Sequence, residues 1–142
     1  MLFMASLLSW NHIHPVLVHF STALVPASLA SDALGKYFGR SSLIAAGWWM
    51  MLYGAIAAPL TVCAGWLWAA GFPAAAAEHL PGLEIHKWLG LSLAMAFGAM
   101  TVWRRKTAIH GEAPSVTYLL FSVFVNGALM FQGFLGGQMT IG

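Results

Sequence analysis

Four long apolar segments dominate the sequence and limit its possible folds more than any other feature. A helix that crosses a bilayer needs about 20 apolar residues, because the hydrocarbon core is about 30 Å thick and each residue rises 1.5 Å. The segments that reach this length are residues 15–34, 43–70, 83–103 and 116–139. No segment shows the alternation over about ten residues that β-barrel strands require. The sequence therefore predicts an all-α integral membrane protein, an antiparallel four-helix bundle forming one domain, with an interfacial segment at residues 1–12.

The composition excludes several classes of protein. Of the 142 residues, 60% are apolar and only 7% are charged, whereas soluble domains are about 25% charged. A soluble enzyme, a nucleic-acid-binding protein and a disordered chain are all incompatible with these values. The single cysteine, Cys63, excludes a disulfide framework and an iron–sulfur cluster held by this chain alone. No Ser/His/Asp set, phosphate-binding loop or pair of carboxylates is visible, so we expect no enzyme activity from this chain on its own.

The positions of the lysines and arginines predict the orientation in the membrane. Five of the six follow the first or the third apolar segment, namely Lys36, Arg40, Arg104, Arg105 and Lys106. Loops on the cytoplasmic side carry an excess of Lys and Arg. These two loops are therefore predicted to be cytoplasmic, and both termini are predicted to face outward.

The six histidines are the feature that points to a function. With this orientation five of them fall on the outer side, namely His12, His14, His19, His79 and His86. His19 lies about 7 Å below the start of its segment and His86 about 5 Å below the start of its own, so we expect similar depths. Two imidazoles that face each other across a bundle are the axial ligands of a b-type haem. The sequence predicts that His19 and His86 hold one haem near the outer face.

Three further residues are assigned to the same predicted site. His14 lies about 140° around the helix from His19, so the two do not share a face. Both would bind one small metal ion only with distortion. Gly136 and Gly137 near the end of the fourth segment either allow tight helix packing or leave space for a flat cofactor.

Other polar residues in the apolar segments have a structural interpretation. Asp32 and Lys36 are four residues apart, which is the spacing of an ion pair along one helix. Asn126 and Gln132 are interpreted as partners in hydrogen bonds between helices, with contact to a cofactor as the alternative.

The run HPVLVHF at residues 14–20 resembles the His-Pro-x-x-Val-His-Phe signature of a bacterial family of four-helix membrane proteins, known as domain of unknown function 2231. The resemblance covers nearly the whole chain, and the further matching features are Asp32, His86 and the pair Gly136-Gly137. The sequence departs from the family at Ser21, where proline is usual. It also departs at residues 65–68, which read GWLW where an acidic residue is common.

The resemblance implies a location and a class of chemistry. Proteins of this family occur fused to, or beside, cytochrome c and Rieske-type modules. The chain is therefore expected in a bacterial inner membrane, with periplasmic termini and with electron transfer at the periplasmic face.

Three functional hypotheses follow from the sequence. The first is an electron-transfer subunit in which one haem b connects a periplasmic carrier, such as cytochrome c, with the quinone pool or a partner subunit. The second is a cofactor-free structural subunit of a larger respiratory or photosynthetic complex. The third is a periplasm-facing metal or quinone site formed by His14, His19 and His86, with or without Glu84. The expected partners are lipid and other membrane subunits, and no nucleic acid.

Overall fold

The computed structural model describes residues 10–71 and 82–141. Four helices account for most of them: α1 (Trp10–Phe38), α2 (Ser41–Ala69), α3 (Leu83–Ala108) and α4 (Val116–Ile141). No strand occurs in these two ranges. All four helices are long and apolar enough to cross a membrane. The predicted all-α membrane bundle is therefore confirmed, whereas most of the predicted interfacial segment at 1–12, the side chain of His12, and His79 lie outside the described residues.

The two helix hairpins turn at glycines in the left-handed conformation. Gly39 has a φ of 63° and joins α1 to α2, and Gly111 has a φ of 68° and follows α3. Glycine adopts this conformation without the steric cost that a Cβ imposes. After Gly39 the backbone N–H of Arg40 donates to the carbonyl of Gly35 at 2.9 Å, so only two residues separate α1 from α2.

Neighbouring helices in the chain pack against each other, and α1 also contacts α4. Helices α1 and α3 therefore lie on a diagonal of the bundle. The most extensive contact is between α1 and α2, where glycines allow a close approach. A Cβ at Gly54, for example, would lie 2.9 Å from Cγ2 of Val25. The buried apolar core consists of Val25, Met51, Ala58, Leu93, Phe97, Met100, Tyr118, Val125 and Leu129.

The outward faces of the helices remain apolar. Large side chains such as Val102, Leu120 and Phe124 are more than half exposed. In water such a surface would drive aggregation, whereas in a bilayer it contacts lipid chains. The exposed surface thus agrees with the membrane assignment.

The two ends of the bundle differ and are named here by their residues. The histidine end is where α1 and α3 begin, with His14 and His86; the arginine end is where α1 and α3 finish, with Arg104. At the arginine end the side chains of Arg104 and Asp32 are both 0% exposed. Nε of Arg104 donates to Oδ2 of Asp32 at 3.1 Å, and Nη2 donates to Oδ1 at 3.0 Å.

The predicted pair of Asp32 with Lys36 is wrong. Asp32 lies in the core beside Arg104 of α3, whose planar guanidinium offers two parallel donors to one carboxylate. Lys36 instead donates from Nζ to the carbonyl of Pro114 at 3.0 Å. In the low-dielectric interior the two-bond contact with Arg104 outweighs the local helical spacing.

Candidate functional site

A cavity of about 380 Å³ lies between the four helices at the histidine end. Its volume falls within the range of about 300–1,000 Å³ that is typical of small-molecule and cofactor sites. Ala58, Leu93, Phe97 and Leu129 line it and also belong to the buried core, so the core forms the floor of the cavity. Most of the remaining wall is apolar as well, which suits a ligand with an apolar body.

His14 enters the cavity from α1 in a fixed orientation. Its Nδ1 lies 2.9 Å from the carbonyl oxygen of Thr61 in α2. A carbonyl only accepts hydrogen bonds, so Nδ1 carries the proton and the neutral ring keeps a lone pair on Nε2. Gly65 makes room for the ring, because a Cβ there would lie 2.8 Å from Cε1 of His14. The ring also contacts Trp68, with a centroid distance of 5.8 Å.

His86 enters the same cavity from the first turn of α3. Nε2 of Gln132 in α4 donates to the backbone carbonyl of His86 at 2.9 Å. The imidazole packs against Gly136, where a Cβ would lie 3.1 Å from Cε1. His14 and His86 line the same cavity. The structure therefore brings together two imidazoles from diagonal helices.

The other predicted site residues also line the cavity. His19 does so with an exposed side chain, and its predicted role as an axial ligand stays a prediction. Gly136 and Gly137 both line the cavity; a Cβ at Gly136 would contact the imidazole of His86, whereas a Cβ at Gly137 would meet nothing within 4 Å. Gly136 therefore makes room for an imidazole, whereas Gly137 enlarges the cavity.

Three buried polar atoms around the cavity have no hydrogen-bond partner among the described residues: Oγ of Ser21, Nδ1 of His86 and Oε1 of Gln132. An unsatisfied buried polar atom costs about 1–3 kcal/mol. Such atoms are expected where a ligand supplies the missing partner. The cavity therefore combines apolar walls with a small number of available polar atoms.

The hydrogen bonds predicted between helices are partly correct. Gln132 does join α4 to α3 through the carbonyl of His86. Asn126 donates from Nδ2 to the carbonyl of Ser122 in its own helix, so that prediction is wrong for Asn126. Sequence reasoning noted Ser21 only as a departure from a family pattern and missed its place in the cavity wall.

The described part of the chain contains no group of three or more His, Cys, Asp and Glu side chains placed to hold a metal ion. Glu84, the optional fourth ligand of the metal hypothesis, is 68% exposed, and its Oε1 lies 2.6 Å from Nζ of Lys87. The set of His14, His19, His86 and Glu84 is therefore not assembled. Two imidazoles without a carboxylate suit a cofactor that brings its own equatorial ligands, as a haem does.

Among the described residues, one cationic side chain, Lys87, lines the cavity. The part of the cavity that is lined by Trp66 and Lys87 is called its mouth here. Nζ of Lys87 lies 5.7 Å from the centroid of the Trp66 ring, and Trp66 contacts Trp88 edge to face at 5.8 Å. Sequence reasoning assigned no role to Lys87. Its isolation from the five other Lys and Arg residues was the signal that could have drawn attention to it.

Comparison with known proteins identifies the family. Neither the curated proteins nor the solved structures contain a match to this chain. A family model described as "Predicted membrane protein (DUF2231)" matches residues 11–142. The chain therefore belongs to this family of predicted membrane proteins, domain of unknown function 2231.

Proposed function

We propose that the protein is an electron-transfer subunit of a bacterial inner membrane that holds one b-type haem in the cavity at the histidine end. The observation that carries the proposal is the pair His14 and His86, which reach one apolar cavity from two diagonal helices. Imidazoles on facing helices of a bundle are the usual axial ligands for such a group.

The donor chemistry of the cavity fits a haem. Metal-bound histidines almost always donate their second ring N–H to a carbonyl or carboxylate, and Nδ1 of His14 makes this bond with Thr61. Nε2 of His14 is then the ligating atom. His86 would ligate through Nε2, because its Nδ1 is buried; that Nδ1 has no partner among the described residues, unlike the Nδ1 of His14.

The remaining residues of the cavity bind and shield the group. Gly65 lets the imidazole of His14 pack closely against α2, and Gly136 lets that of His86 pack closely against α4. The apolar floor excludes water. A bound haem supplies one-electron transfer, while the chain supplies its ligands, orientation and dielectric surroundings.

The position of the cavity favours electron exchange at one surface of the membrane. His14 and His86 lie near the starts of α1 and α3. The arginine end holds no second pair of histidines among the described residues. We therefore propose that electrons pass between a periplasmic carrier such as cytochrome c and the quinone pool or another membrane subunit. Transfer across the whole bilayer would need a further cofactor in a partner.

A reduced-minus-oxidised absorption spectrum of the purified protein, saturated with haemin, tests the proposal. We expect a b-type α-band from a six-coordinate, low-spin haem. His14→Ala and His86→Ala are each expected to abolish the six-coordinate spectrum. His110→Ala, an exposed loop residue between α3 and α4, is the matched control and should leave it unchanged.

His19→Ala decides which histidine of α1 is the ligand. If His19→Ala keeps the spectrum and His14→Ala loses it, His14 is the partner of His86; the reverse result assigns His19. A wild-type protein that gives no α-band at saturating haemin rejects the haem proposal and favours the cofactor-free structural subunit.

A second candidate is a quinone site, which the unpaired atoms of Ser21 and Gln132 favour. A quinol hydroxyl can donate to the unpaired Oε1 of Gln132, and a quinol or quinone oxygen can accept from the hydroxyl of Ser21. We expect Ser21→Ala and Gln132→Leu each to weaken binding of decylubiquinol about five- to tenfold in haem-free protein. Ser92→Ala, which changes an exposed serine bonded within α3, is the control. Unchanged quinol affinity in both cavity variants rejects this candidate.

A further inference from the structure

We propose that Lys87 binds the carboxylate of an anionic ligand whose apolar body fills the cavity at the histidine end. The inference rests on the proposed function for the nature of that body, a porphyrin. It adds that the cavity selects porphyrins with free acid groups over porphyrins whose acids are esterified.

The distribution of charge singles out Lys87. It is the only lysine or arginine among the described residues that line the cavity. The other five all lie at or beyond the ends of α1 and α3 that form the arginine end. The sole lysine or arginine of the histidine end therefore lines the cavity.

The contacts of Lys87 hold its ammonium group at the mouth. Oε1 of Glu84 lies 2.6 Å from Nζ, and the Trp66 ring lies below it at 5.7 Å. The ammonium group has three donors, and Glu84 occupies one of them. The side chain of Lys87 is 28% exposed against 68% for Glu84, so the lysine is the more enclosed partner and can accept a second carboxylate from the cavity side.

The neighbouring residue fixes how a porphyrin would be oriented. Lys87 and His86 both line the cavity, so one ligand can contact the imidazole with its ring and the ammonium group with its acid. A protoporphyrin carries both propionates on one edge. That edge would face the mouth, and the opposite apolar edge would face Leu93 and Phe97 on the cavity floor. Charge-assisted hydrogen bonds at a partly buried site are strong enough to select this orientation.

Substitutions of Glu84 and Lys87 are expected to change the affinity for an acid in opposite directions. Its carboxylate partly neutralises Lys87 and competes with a ligand carboxylate for the same ammonium group. Removing the charge of Glu84 should therefore strengthen binding of an acid, whereas removing the charge of Lys87 should weaken it. A general loss of folding would weaken both.

The experiment is a titration of metal-free protoporphyrin IX, and of its dimethyl ester, into the purified full-length protein in a neutral detergent. Quenching of tryptophan fluorescence reports binding, and the absence of iron removes any contribution from imidazole ligation. We expect the wild type to bind the diacid about tenfold more tightly than the ester. Lys87→Gln should weaken the diacid about five- to tenfold and leave the ester unchanged. Glu84→Gln should strengthen the diacid about two- to threefold.

Lys106→Gln is the matched control, because it removes a lysine at the other end of α3 and should change neither affinity. Equal wild-type affinities for diacid and ester overturn the proposal, as does a Lys87→Gln variant that weakens both equally. Failure of both porphyrins to bind overturns it together with the haem proposal. If the diacid preference holds but haemin gives no six-coordinate spectrum, the role of Lys87 stands and only the ligation is rejected.

An anionic lipid headgroup is the other source of negative charge at this surface. Repeating the titration with added phosphatidylglycerol or phosphatidylcholine separates the two. Loss of the diacid preference in phosphatidylglycerol alone assigns Lys87 to the lipid and overturns the proposal. An unchanged preference supports the carboxylate of the cavity ligand.

Discussion

The arginine end and the histidine end treat their buried polar groups in opposite ways. At the arginine end Arg104 is bonded to Asp32, to Thr107 and to the carbonyls of Ile44 and Glu112. At the histidine end the wall of the cavity contains unpaired atoms of Ser21, His86 and Gln132 among the described residues. Buried polar groups that are fully bonded stabilise a single arrangement, whereas unpaired ones beside a cavity can still bond to water or to a ligand.

The comparison separates residues that hold the bundle together from residues that line the cavity. Arg104 lies in α3 and bonds to Asp32 in α1, to Ile44 in α2 and to Glu112 after α3. It therefore connects α1, α2 and α3 through one side chain. The imidazoles of His14 and His86 make few bonds of this kind. Substitutions at the two ends should therefore change different measured quantities.

The largest effect is expected for Arg104→Met. The substitution leaves the buried carboxylate of Asp32 without a counter-charge, which costs about 3–5 kcal/mol. Unfolding of the detergent-solubilised protein, followed by circular dichroism during titration with SDS, measures this loss. The double variant Asp32→Asn/Arg104→Met should recover part of the stability because no uncompensated charge remains. A double variant that is as unstable as the sum of its single variants contradicts this account.

A smaller effect distinguishes the glycines of the two ends. A Cβ at Gly47 would lie 2.5 Å from Oδ1 of Asp32, so Gly47→Ala should cost about 1–3 kcal/mol in stability. Gly136→Ala presses on the side chain of His86, at 3.1 Å. It should change stability by less than about 0.5 kcal/mol but lower haemin occupancy. Stability by SDS titration and occupancy by absorbance measure the two effects in the same samples.

Gly98→Ala and Gly127→Ala are the controls for this pair, because a Cβ at either position meets nothing within 4 Å. Both should retain stability and haemin occupancy. An equal loss of stability in Gly47→Ala and Gly136→Ala would contradict the division between the two ends.

The smallest effect compares two buried serines on α1. Oγ of Ser28 donates to the carbonyl of Gly47 at 2.8 Å, whereas Oγ of Ser21 has no partner among the described residues. Ser28→Ala should therefore cost about 1 kcal/mol, and Ser21→Ala should cost nothing or stabilise the ligand-free protein slightly. The same unfolding measurement tests both, and a greater loss for Ser21→Ala than for Ser28→Ala would reverse the comparison.

The helices were predictable from sequence because the requirement that creates them is local. Each span needs only a continuous apolar stretch of sufficient length, and hydropathy records this directly. The first helix extends upstream of the expected start at Pro15, to Trp10. Proline is tolerated inside membrane helices, so its position did not mark the boundary.

Contacts between segments that are distant in the chain were harder to predict from the sequence. Depth along the helix placed His86 near the outer surface, and the structure places it in the cavity. The rotation of α1 decides whether His14 or His19 turns toward the bundle axis, and it depends on close packing against α2 at Gly65. Likewise, Asp32 was assigned to Lys36 because that spacing is visible within one helix, while its actual partner is 72 residues away.

The dependence of Asp32 on Arg104 also has a consequence for biogenesis. When the first hairpin, α1 with α2, leaves the ribosome and enters the bilayer, the guanidinium group that neutralises Asp32 has not yet been synthesised. A carboxylate alone at this depth is costly in lipid. The hairpin therefore needs protonation of Asp32, a neighbouring insertase or a delay in lateral release until α3 arrives.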